Sequence, residues 1–289
     1  MEALIVDVDG VILFEDKIMS PKITSLLEKI LRHTDIALIT AASVERLDQF
    51  VLSSFSNSGK NNLLKNLQVF AEIGLIELSP DLKKNLEERI VFRSINHNTI
   101  LSLPFRDKVR NMTMVSPWLY NPFYYGKDGE TGKDHRGKKC FFYLDGKMLT
   151  QFIMSSDKRV LITLEKRRDD KGGIDLRIIN AEKEIEDLKR FLENQKIYDI
   201  EIMETPTSVE IKPKDWDKSI PSAIALTRIA KKRGKSVEEI ARNALVLGDS
   251  DTDCVMGTPR KLKVNIPFIK VGGEDHTCKI LQDIIKRRI

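Results

Sequence analysis

The sequence predicts an α/β protein: a doubly wound parallel-sheet core interrupted by an inserted α+β domain. Three observations carry that prediction. Short aliphatic runs at 3–6, 35–39 and 244–247 each end in polar or acidic residues, as do parallel strands that are buried on both faces and present ligands at their carboxyl ends. Apolar residues at helical spacing follow the first two runs, giving the strand, helix, strand, helix rhythm of right-handed crossovers. That rhythm stops between about Lys84 and Lys212, where short strand-like runs and a helix make an α+β pattern. Residues 1–83 and 213–289 are therefore expected to form the core, and residues 84–212 the insertion.

At 289 residues and 33.1 kDa the chain has the length for two moderate domains. A hydrophobic fraction of 41% beside 31% charged residues excludes a disordered or low-complexity chain. No apolar stretch approaches membrane-spanning length and no basic leader precedes the first strand, so no membrane partner and a cytoplasmic location are expected. Cys140, Cys254 and Cys278 are odd in number and far apart, which argues against a disulfide framework or a zinc site. The excess of 48 basic over 43 acidic residues is too mixed to imply nucleic acid by itself, and it suits a small anionic substrate equally. Nothing in the composition sets an oligomeric state.

The first run, Ala3-Leu-Ile-Val-Asp-Val-Asp-Gly-Val, delivers Asp7 and Asp9 to the carboxyl end of a strand, where Gly10 permits the turn that lets both carboxylates converge. On its own the stretch also fits an Asx-rich turn or a metal-binding loop without catalysis. Ile23, Leu26, Leu27, Ile30 and Leu31 then lie at helical spacing, with Ser20 as cap before Pro21. A second strand over 35–40 ends at Thr40, and a further helix begins at Ser43. Residues 66–78 read as two short strands joined at Gly74. Within the insertion, strands are expected at 109–115, 141–144, 160–164, 176–179, 198–203 and 208–212, with a helix over 181–194. The glycine-rich charged segment 124–139 reads as an exposed loop.

After the insertion, Ile220, Ala223, Ile224, Leu226, Ile229 and Ala230 mark a helix with Asp217 as its cap. Lys218 stands at its start, where a cation opposes the helix dipole unless an anion is near. The strand over 244–247 runs into Gly248-Asp-Ser-Asp-Thr-Asp253, a cluster of hard oxygen ligands that suits Mg²⁺. An EF-hand is excluded because the chain continues Cys254-Val-Met-Gly-Thr-Pro without the closing Glu.

Asp-x-Asp-Gly-Val after an amino-terminal strand, Thr40 at the next strand end, a lysine before a helix and Gly-Asp-x-x-Thr-Asp after the late strand resemble the four motifs of the haloacid dehalogenase superfamily. The subgroup resembled is the cap-bearing Cof and sugar-phosphatase type, with phosphomannomutase-like features. The resemblance implies that Asp7 attacks phosphorus and Asp9 serves as acid and base. It implies that the Thr40 hydroxyl holds the phosphoryl group and that Lys218 neutralises it, with Lys212 and Lys214 as alternatives. Mg²⁺ is the implied cofactor, drawing on Asp7, Asp9, Asp249 and Asp253, the last acting remotely or orienting Lys218. Backbone at Gly10 and Ala41 is expected against the substrate. Residues 71–74 resemble the Ala-Glu-Asn-Gly segment of cap-bearing members, with Ile73 in place of Asn. Residues 106–117 resemble a phosphomannomutase cap strand, which makes Arg106 and Arg110 candidates for gripping a distal anionic group.

The expected activity is Mg²⁺-dependent hydrolysis of a small phosphorylated metabolite, a sugar phosphate by preference, through an aspartyl-phosphate. A phosphomannomutase-like mutase is the alternative enzyme, favoured by Trp216-Asp-Lys and Val115-Ser-Pro; Thr40 favours the phosphatase, because phosphomannomutases carry glycine there. A non-catalytic sugar-phosphate or nucleic-acid binding protein is the alternative from another class.

Overall fold

A computed structural model of the chain describes residues 1–14, 18–56, 61–92, 151–154, 161–169, 174–175, 186, 189–190, 193, 200–204 and 208–287. The chain divides into two compact units, Met1–Arg93 with Trp216–Ile289, and Ser94–Asp215. Among the described residues no helix is long and apolar enough to cross a membrane.

The first unit opens with the strands β1 (Ala3–Asp7), β2 (Asp35–Ile39) and β3 (Leu67–Ala71), followed by β4 (Ile76–Leu78) and β5 (Ile90–Phe92). The second unit holds β6 (Gln151–Met154), β7 (Ile162–Asp169), β8 (Ile174–Asp175), β9 (Ile200–Glu204) and β10 (Ser208–Pro213). On return, the first unit adds β11 (Ala244–Gly248) and β12 (Phe268–Lys270). Its seven-stranded sheet runs β12-β11-β1-β2-β3-β4-β5, parallel from β12 to β3 and antiparallel beyond.

β1 lies at the centre of the parallel part because every one of its residues is apolar or ends the strand. Ile5 registers with Ala37 on one side and Val246 on the other. From β1 the connections proceed in one direction to β2, while β11 returns on the opposite side. The carboxyl ends of β1 and β11 therefore frame a topological switch point, the place where open α/β sheets bind ligands.

Helices cover the faces as the apolar spacing requires. Pro21–Leu31 buries Ile23, Leu26, Leu27, Ile30 and Leu31, and Ser20 accepts a hydrogen bond from the Ile23 amide at 3.3 Å. The helix Ser219–Arg233 packs Ala225, Leu226, Ile229 and Ala230 into a cluster with Ile5, Ile39, Phe70 and Val246. Each fully buried aliphatic side chain there contributes roughly 1.5–3 kcal/mol, so this face anchors the strand ends beside it.

The expected boundary at 83/84 falls at 93/94, and the return expected at 213 falls at Trp216. The reason is β5, which pairs with β4 (Ile76↔Phe92, Leu78↔Ile90) after a short helix, Leu86–Arg89, closed by an Asn85–Glu88 capping box. A charged run hides this extension in the sequence.

The second unit is an antiparallel sheet, β6-β7-β10-β9, with β8 paired to β7. β7 runs further than the strand expected over 160–164, and β6 was not expected at all. Positions 186, 189, 190 and 193, within the expected helix 181–194, are helical. The strands expected at 109–115, 141–144 and 176–179, the loop 124–139, and Arg106 and Arg110 lie outside the described residues.

Candidate active site

Asp7 is the last residue of β1 and is 4% exposed. Two residues on, the chain turns through hydrogen bonds from the Ile12 and Leu13 amides to Val8 O, at 3.0 and 2.9 Å. This turn leaves the side chain of Asp9 44% exposed. Gly10 has φ +73°, and a Cβ on it would stand 2.1 Å from Asp249 Oδ2. Only glycine lets the first loop approach the late one this closely. The amide of Gly10 is bound to Leu13 O at 2.9 Å, and the missing side chain makes room for Asp249.

Lys218 joins the two halves of the chain. Its Nζ donates to Asp7 Oδ1 at 2.8 Å and to Asp253 Oδ1 at 2.7 Å. Asp253 is almost wholly buried, and its second oxygen accepts from Ser250 N at 3.0 Å and Ser250 Oγ at 2.8 Å. Of the other lysines considered, Lys212 pairs with Glu201 in the second unit and Lys214 is exposed. Asp217 caps the helix by accepting from Ser219 N at 2.8 Å. The loop before it is tied down by Trp216, whose Nε1 donates to Ile73 O at 2.9 Å.

Ile73 itself has φ +56°, an unusual conformation for a β-branched residue. Asn, which stands here in the resembled families, tolerates that conformation more readily. Hydrogen bonds hold the strained turn, from Ile73 N to Thr40 O at 2.7 Å and from Trp216 to Ile73 O.

Oxygens of Asp7, Asp249 and Asp253 all lie within 4.8 Å of one another. Two oxygens on opposite sides of a Mg²⁺ stand about 4.2 Å apart, so this spacing suits a divalent ion held directly or in part through water. The charges suit it as well, since three carboxylates face one ammonium group. Asp9, expected among the metal ligands, has its side chain outside this group of three. Its Oδ2 accepts from Thr40 Oγ1 at 2.9 Å, and its Oδ1 accepts from Arg46 Nε at 3.3 Å and Nη2 at 3.0 Å. Thr40 Oγ1 in turn accepts from Ala42 N at 2.9 Å, and Ala41 lies half-buried between them.

Burial pushes the Asp7 carboxyl up to about 7; Asp253 and Asp9 add to the effect and Lys218 opposes it. For Lys218, burial alone would depress the ammonium, but Asp7 and Asp253 outweigh it and hold the group above its ordinary range. Asp253 is held below the usual carboxylate range: burial works against this, and Lys218 and the Ser250 hydrogen bonds prevail. Asp249 is raised, first by burial and then by Asp253. One buried carboxylate is thus kept charged by the lysine, while burial outweighs the same lysine at the other.

Sequence reasoning missed Arg46 and Ser250. Arg46 stands three residues after the Ser43 cap that follows the end of β2, and nothing in that spacing singles it out from other surface arginines.

No family model matches the sequence, and no curated protein matches it. Solved structures do. The IMP-bound, N-terminally truncated IMP-nucleotidase of Plasmodium falciparum matches at 15% identity over 99% of this chain and 68% of its own, with a TM-score of 0.54. The C-terminal domain of the C. albicans trehalose-6-phosphate phosphatase matches at 16% identity over 99% and 93%, with a TM-score of 0.54. A trehalose-6-phosphate phosphatase related protein matches at 14% identity over 99% and 98%, with a TM-score of 0.53. At these identities the likeness is one of fold. With its mostly parallel sheet and its inserted second unit, the chain has the fold of these solved structures.

Proposed function

We propose that the chain is a Mg²⁺-dependent phosphatase that hydrolyses a small phosphorylated metabolite, a sugar phosphate by preference, through an aspartyl-phosphate on Asp7. The observation that carries the reading is the placement of Lys218 Nζ at 2.8 Å from Asp7 and 2.7 Å from Asp253, with Asp249 completing a trio of carboxylates at the switch point. The matched phosphatases are named for IMP and trehalose 6-phosphate, which supports a small phosphorylated substrate.

Asp7 is the nucleophile because its buried carboxylate stands beside a cation and a site for a second one. Lys218 holds its attacking oxygen in place and balances charge on the phosphoryl group. Asp9 gives a proton to the leaving oxygen and later takes one from water. Thr40, at the next strand end, offers a hydroxyl to the phosphoryl oxygens. Asp7, Asp249 and Asp253 would hold the Mg²⁺, which supplies charge neutralisation in phosphoryl transfer. Substrate choice is assigned to the inserted unit, the cap of the resembled families.

Release of inorganic phosphate from sugar phosphates and nucleoside monophosphates, with and without Mg²⁺, tests the proposal. Expected is metal-dependent release without a bisphosphate activator, and a loss of at least about 10³-fold in Asp7→Asn. Interconversion of phosphosugars without release would identify the mutase. An Asp7→Asn variant equal to wild type would leave only a binding protein.

A further inference from the structure

Arg46 touches the site, yet the reading above gives it no task. Its Nε and Nη2 both reach Asp9 Oδ1, while Thr40 Oγ1 takes Asp9 Oδ2. Each oxygen of Asp9 is therefore fixed by a donor, from the end of β2 on one side and the first turn of the next helix on the other. Arg46 is itself braced: its amide donates to Ser43 Oγ at 3.3 Å, and its guanidinium lies 5.7 Å from the centre of the Phe50 ring. An ion pair on a half-exposed carboxylate adds little stability. Two guanidinium donors and a hydroxyl closing on one Asp side chain do fix its plane and direction.

We infer that Arg46 is a positioning residue for Asp9, acting chiefly in hydrolysis of the aspartyl-phosphate. The inference rests on the phosphatase reading above. In that half-reaction a water oxygen bonds to phosphorus as the bond from phosphorus to the Asp7 carboxylate oxygen breaks. The electron pair returns to Asp7, and the proton of the water passes to Asp9. These partners fix the plane and direction of the Asp9 carboxyl, and its aim decides how well it meets the water. The first half-reaction needs Asp9 far less when the leaving group departs as a stable anion, as p-nitrophenolate does.

The test is steady-state and stopped-flow hydrolysis of p-nitrophenyl phosphate with Mg²⁺ by wild type, Arg46→Met, Arg46→Lys and Asp7→Asn. In Arg46→Met, kcat is expected about 10- to 100-fold below wild type, with KM falling in parallel so that kcat/KM stays within about threefold. A burst of one p-nitrophenol per active site accompanies it, because phosphoenzyme accumulates. Millimolar guanidinium ion restores part of the lost kcat. Arg46→Lys keeps a cation and is expected between the two; it carries the test if the methionine variant does not fold. A parallel fall of kcat and kcat/KM without a burst marks a merely structural role and overturns the inference, as does an unchanged kcat. If Asp7→Asn matches wild type, the phosphatase reading falls and takes the inference with it. An active wild type, an inactive Asp7→Asn and an unaltered Arg46→Met overturn the inference alone.

Discussion

Burial and charge pull Asp7 in opposite directions, and the balance gives this group's contribution to stability a pH dependence of definite sign. The folded carboxyl sits at about 7 against 3.8 for the ordinary side chain. The folded state therefore binds more protons than the unfolded chain between those values. Stability from this group is fully present below pH 3.8 and is lost as pH rises towards 7, by up to roughly 4 kcal/mol at 1.36 kcal/mol per pH unit. Asp249 is shifted in the same direction, while Asp253 is shifted oppositely and acts below the ordinary carboxylate value. Urea unfolding in EDTA at pH 4.5 and 7.5 should show this decline in wild type and a shallower one in Asp7→Asn. Equal slopes in both would remove Asp7 as its source. That Asp7, Thr40, Asp249 and Asp253 lie at or just beyond strand ends was legible in the sequence, because buried apolar runs precede them. The Arg46–Asp9 pair was not, since it bridges two separate loops and depends on which strands lie side by side. The left-handed turn at Ile73 was hidden for another reason: isoleucine disfavours the conformation that its hydrogen bonds impose.

At the next scale the helix Ser219–Arg233 works as a strut across the sheet. Its amino end presents Lys218 to the carboxyl end of β1. At its other end Lys232 and Arg233 bind Asp35, the first residue of β2, with Arg233 Nε 2.8 Å from Asp35 Oδ2. Asp35 is 2% exposed, so both cations, themselves favoured at the carboxyl end of the helix, act on a buried acceptor. Asp35→Ala is expected to destabilise the protein by about 1.5–3 kcal/mol, the range for hydrogen bonds to charged groups. The lysine and arginine it releases can reach water, which keeps the loss below that of a fully buried pair. Chemical denaturation measures it, and kcat should be unchanged because the clamp lies at the opposite end of the strands from the site. A fall in kcat with unaltered stability would refute the strut. Elements of this kind were readable where an apolar stripe repeats at helical spacing. β5 and β6 were not, because each is a run of only three or four residues.

For the whole molecule, the decisive fact is that the site is assembled across the insertion. Asp7 comes from the first strand, Lys218 from the helix after the chain returns, and Asp249 and Asp253 from the loop after β11, which registers Ala244 against Ala3. An unfolded chain holds these carboxylates far apart, so a divalent ion that needs all three binds the folded state alone. If the trio binds Mg²⁺ as proposed, mass action makes the ion a stabiliser of the entire first unit, by about 2.7 kcal/mol at a hundred times its dissociation constant. For a unit of this size that corresponds to a rise in Tm of about 5–10 °C. The rise should be larger at pH 8 than at pH 5, because protonation of Asp7 competes with the ion in the window set by its raised pKa. Asp249→Asn should lose most of it, since Asp249 is the exposed member of the trio, the carboxylate most accessible to an arriving ion. Thermal melts with Mg²⁺ and with Ca²⁺ at both pH values provide the measurement. A Tm indifferent to Mg²⁺ at pH 8, or an equal rise in Asp249→Asn, would show that the three carboxylates do not act as one site.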